Sequence, residues 1–62
     1  MKLSEIKLGS VLKHISDVNF DRPQKLIVTK ISDGGSVVYC EWITRDGIMQ
    51  EMWINIERLE KW

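Results

Sequence analysis

Short apolar runs separated by turn-forming residues mark out this chain. Ser10-Val11-Leu12-Lys13-His14-Ile15, introduced by Gly9, reads as a first strand. Lys25 to Ile31, KLIVTKI, is dense in the β-branched residues that suit a pleated surface. Ser36 to Thr44 and Ile48 to Ile54 (IMQEMWI) read as two more strands. Asp33-Gly34 and Asp46-Gly47 stand between these runs, and Asp-Gly in that position is a strong hairpin signal, because both central residues tolerate positive φ. Ser16 to Pro23 holds turn formers and a proline that disfavours a ladder position, so a loop of about eight residues is expected there. Near the end, Asn55 can cap one helical turn, Ile56 to Leu59, with Ile56 and Leu59 facing the sheet. The pattern predicts a single all-β domain over residues 1–62. Its form is a small, strongly bent antiparallel sheet or partly open barrel of SH3-like kind, with a short C-terminal helical turn, because curling lets one core serve every strand.

The third strand divides by alternation into two faces. Val38, Cys40, Trp42 and Thr44 fall on one, and Val37, Tyr39, Glu41 and Ile43 on the other, which the charge of Glu41 marks as the wetter. Cys40 is read as packing, since an unpaired cysteine behaves as a small hydrophobe and nothing places the lone imidazole, His14, beside it. Tyr39, with Trp53 joining or backing it according to register, either forms a recognition surface or covers an edge of the sheet.

Composition narrows the classes. Sixty-two residues bury only about 60% of the unfolded surface, and a core of that size supplies roughly 3–5 kcal/mol. One cysteine and one histidine allow neither an internal disulfide nor a Cys/His metal site, so packing, aided by self-association, must carry stability. No apolar run approaches a membrane span, and MKLSEIKLGS lacks the apolar core of a secretory signal. With an unpaired thiol, this favours a cytoplasmic location. The net charge of zero argues against binding driven by phosphate neutralisation. Residues 1–30 carry six basic and three acidic groups and residues 31–62 three and six, a split of +3 against −3 that cross-strand pairing would absorb.

No cofactor or metal motif is present. Gly34-Gly35 lacks phosphate-cradling spacing, and Glu57 with Glu60 reads as a solvated face. Lys13, His14, Arg22 and Lys25 form at most a modest basic cluster around the long loop.

Taken in order, Gly9-Ser10-Val11, Pro23, Val28 to Ile31, Gly35, Val38-Tyr39-Cys40-Glu41-Trp42, Trp53 and Leu59 resemble the YodC-like family of small bacterial domains, which has no established function. The Cys-x-Trp after a glycine turn is the most specific element. Ser10 stands where that family usually has Asp, and the Ser16 to Pro23 loop replaces a shorter turn. The resemblance implies an SH3-like sheet and no catalytic residues. The layout is also similar to the small plasmid-borne dihydrofolate reductases, but only Gln50 matches their active strand, and that activity is not carried over.

The expected function is therefore a non-enzymatic binding module that acts through protein–protein contacts or self-association, with Phe20, Tyr39 and Trp53 as contact residues. The alternative is a nucleic-acid-binding barrel in which Lys13, Arg22, Lys25 and Lys30 meet phosphates while Phe20 or Tyr39 stacks on bases.

Overall fold

The glycine turns and the apolar runs between them determine where the chain reverses. The computed structural model describes residues 2–15 and 25–62. Within them the chain is all-β, with β1 (Val11–His14), β2 (Leu26–Ile31), β3 (Val37–Ile43), β4 (Met49–Asn55) and β5 (Leu59–Lys61). Short 3-10 turns occupy Leu3–Glu5 and Ile56–Arg58. The four expected strands form within one residue of their expected bounds. The loop expected over Ser16 to Pro23 lies outside the described residues.

The strands make one antiparallel sheet in the order β4-β3-β2-β1-β5, not closed into a barrel. Leu12, Leu26, Val28, Val38, Cys40, Ile54 and Leu59 are buried together, with Ile6 beside them. Because Ile54 and Leu59 come from the two edge strands, the sheet must bend over its buried face to bring both into one cluster. A register shift between Val28 and Lys30 sets Thr29 as a bulge, which lets both Val28 and Ile31 turn toward the core. No polar side chain is buried among the described residues.

The turns depart from expectation. No described non-glycine residue has positive φ, and neither does Gly34; instead Gly35 (φ 72°) and Gly47 (φ 82°) take the left-handed conformation. Gly47 N–H donates to the Thr44 carbonyl at 2.9 Å, and Thr44 N–H donates to the Ile48 carbonyl at 2.9 Å. This is a three-residue hairpin loop with glycine in third place, rather than a two-residue turn. Leu3 packs directly over Gly35, where a Cβ would collide with it.

At the C-terminus, Asn55 Oδ1 accepts from Glu57 N–H at 2.9 Å, as a capping residue should. The turn it caps is 3-10 rather than α, and it ends at Arg58. Leu59 then enters a fifth strand that pairs with β1, opposite His14. That strand is too short to show an alternating pattern. The expected cross-strand charge pairing appears as Lys13–Glu60 at 3.6 Å between β1 and β5. Lys61 also meets Glu5 at 3.8 Å.

Candidate interaction surface

The Arg45-Asp46-Gly47 loop fixes how β3 and β4 face each other. Pairing runs unbroken from Ile43↔Met49 to Val37↔Asn55, which sets Tyr39 opposite Trp53 and Glu41 opposite Glu51. Thr44 N–H bonds to the Ile48 carbonyl, and Ile56 N–H bonds to the Ser36 carbonyl at 3.1 Å. Antiparallel pairs alternate between bonded and non-bonded types, so Tyr39↔Trp53 and Glu41↔Glu51 are non-bonded pairs, the type that brings side chains closest. The Tyr39 and Trp53 ring centroids lie 5.1 Å apart at 61°, an edge-to-face contact.

Charges border this pair. Lys30, the β2 neighbour of Tyr39, holds its Nζ 5.0 Å from the centre of the phenol ring. On the other side Glu51, diagonal to Tyr39 on the same face of the β3–β4 pair, acts on the phenol. The phenol pKa is raised above 10.0, first by loss of water around the half-buried ring, then by the Glu51 bond and the negative charges of Glu51 and Glu41. Trp53 remains 47% exposed, and Ile43 and Met49 extend the same face with exposed apolar side chains. The surface is therefore an aromatic pair flanked by a cation, two carboxylates and flexible apolar groups.

The sequence-derived site residues separate here. Tyr39 and Trp53 come together. Lys25 does not join them: its Nζ sits 5.5 Å from the ring of Trp62, which pairs with Val11 at the other side of the sheet. Lys25 lies five positions before Lys30, about 16 Å of extended chain. Phe20 and Arg22 lie outside the described residues. Lys13 pairs with Glu60. Glu51, which ties down the phenol, is a site member the sequence reasoning did not select. It could have been found by reading the Asp46-Gly47 loop as three residues, since that loop alone sets the pairing of Glu41 with Glu51.

Cys40 is fully buried in the core. Burial alone pushes its thiol up to about 11, so the thiolate needed by a nucleophile is disfavoured. No group of three or more His, Cys, Asp or Glu side chains suited to a metal ion occurs among the described residues. No helix among them is long and apolar enough to cross a membrane.

Compared with known proteins, the chain matches no family model, and no curated protein or solved structure is significantly similar to it.

Proposed function

We propose that this chain is a non-enzymatic protein-binding module of SH3-like kind, and that its contact surface is the outer face of β3 and β4. The observation that carries this reading is the edge-to-face pair Tyr39–Trp53, half open to solvent and bordered by Lys30 and Glu51. Aromatic residues dominate the energetics of protein contacts, and a ring held by a neighbour loses little freedom on binding. The SH3-like assignment rests on the meander from β1 to β4, followed by a 3-10 turn that returns β5 to β1. A cytoplasmic, YodC-like protein remains the setting in which we place it.

The nucleic-acid reading has less behind it. Glu41 and Glu51 stand beside Tyr39, where they would repel a phosphate backbone, and Lys13 is occupied by Glu60.

Selection of a displayed peptide library on the immobilised chain tests the proposal. Selected peptides should shift the ring resonances of Tyr39 and Trp53 and bind at least tenfold more weakly to Tyr39→Ala. Enrichment of no sequence, or binding unchanged by Tyr39→Ala and Trp53→Ala, rejects it.

A further inference from the structure

Among the described residues, β4 forms an edge of the sheet that no other strand pairs with. β4 pairs with β3 through its even-numbered residues, as the bonds at Ile48 and Ile56 require, so the N–H and C=O groups of Met49, Glu51, Trp53 and Asn55 point away from the sheet. β4 is an edge strand, and its seven residues pair with β3 in unbroken register. Edge strands are ordinarily protected by lysine, proline, a bulge or extreme shortness. β4, MQEMWIN, has none of these, and Glu51 is its one charge.

We infer that a second copy of this chain pairs with β4 in antiparallel fashion across a two-fold axis at Met52, joining the two sheets into one. The register follows from self-complementarity. All outward-pointing groups find partners only when odd residues face odd residues, and three such registers are short enough to consider. Centring on Glu51 would set two carboxylates face to face, which is unfavourable. Centring on Trp53 leaves Met49 without a partner inside the strand. Centring on Met52 pairs Glu51 with Trp53 of the second copy and Met49 with Asn55 of the second copy, using every outward group.

The side chains agree with that register. Met52 lies on the core side of the sheet, opposite Cys40, yet it is 50% exposed. In the dimer it meets its own copy at a non-bonded pair, the closest side-chain spacing available. Gln50 meets Ile54 of the second copy on the same side. The chain also fits the class of domain that needs help: it has one cysteine, a core of eight buried hydrophobic residues among those described, and no metal cluster among those described. Because each half of the dimer presents its own Tyr39–Trp53 face, this inference builds on the protein-binding reading but uses the edge rather than the face.

The test combines mass with cross-linking. Sedimentation of the full chain across a concentration series should show a rise toward twice 7.3 kDa. Glu51→Pro removes an outward N–H without touching the β3 ladder, and Met52→Lys sets two ammonium groups across the axis; each should weaken the dimer at least tenfold. Met52 is half exposed, so Met52→Lys remains informative should the proline variant misfold. In a Cys40→Ala background, Met52→Cys should oxidise to a covalent dimer while Gln50→Cys should not. A chain that stays at monomer mass throughout, a dimer indifferent to both substitutions, or cross-linking at Gln50→Cys in preference overturns the inference. Tyr39→Ala should leave the dimer intact, so failure here is distinguishable from failure of peptide binding at the face.

Discussion

Tyr39 and Trp53 sit directly opposite each other on adjacent strands, with ring centroids 5.1 Å apart and planes inclined at 61°. Their closeness follows from the Arg45-Asp46-Gly47 loop: that turn sets the register, and the register makes theirs a non-bonded pair. Such aromatic pairs contribute about 0.5–1.5 kcal/mol beyond the area they bury. A double-mutant cycle with Tyr39→Ala and Trp53→Ala, followed by urea unfolding, should return a coupling in that range. A coupling near zero would mean the rings are neighbours without being partners.

The phenol of Tyr39 should titrate above its ordinary value of 10.0. A folded-state value that is raised stabilises the fold below pH ~10, and the benefit fades as pH climbs through the raised value. Absorbance near 295 nm follows the phenolate directly. Glu51→Gln should move the midpoint back toward the ordinary value without fully restoring it, because loss of water around the ring is the first cause and persists. A midpoint indifferent to Glu51→Gln would remove the hydrogen bond from the account.

Cys40 makes the same argument from inside the core. Its thiol rises from 9.0 to about 11 on burial, so its contribution is complete below pH ~9 and is lost between there and about pH 11. Stability of the native chain should therefore fall more over that interval than that of Cys40→Ala, and the native thiol should resist alkylating reagents until the chain unfolds. Rapid labelling under native conditions would show that the thiol is open.

Glu41 and Glu51 face each other at a non-bonded pair, where like charges are unfavourable by about 0.2–1 kcal/mol. Glu41→Gln, which leaves the Glu51–Tyr39 bond in place, should raise stability by a few tenths of a kcal/mol, and the gain should shrink in high salt. A loss of stability would indicate that Glu41 has a favourable partner.

For nucleic acid, a titration with single- and double-stranded oligonucleotides at low salt should show no saturable binding. Binding that fades steeply as salt rises would instead revive the phosphate-contact reading.

Much of this was legible in the residues. The β-branched runs located β2 and β3, Glu41 marked the outer face, and Asn55 marked the cap. Other features were hidden for physical reasons. Asp-Gly signals a turn without saying whether glycine is its second or third residue, and that difference sets the β3–β4 register and hence which side chains touch. β5 spans only Leu59–Lys61 and owes its strand form to pairing with β1, a tertiary effect that local composition does not carry. Glu51 looked like an ordinary surface charge until Tyr39 was placed across from it.

The most direct test of the claim that a second copy of this chain pairs along β4 is amide-resolved NMR across a concentration series reaching about 1 mM, where even weak contacts are populated. Resonance shifts and slowed amide exchange should gather on Met49, Glu51, Trp53 and Asn55, with Tyr39 responding beside them. Spectra that do not change with concentration, or changes confined to Lys25 and Trp62, would contradict it.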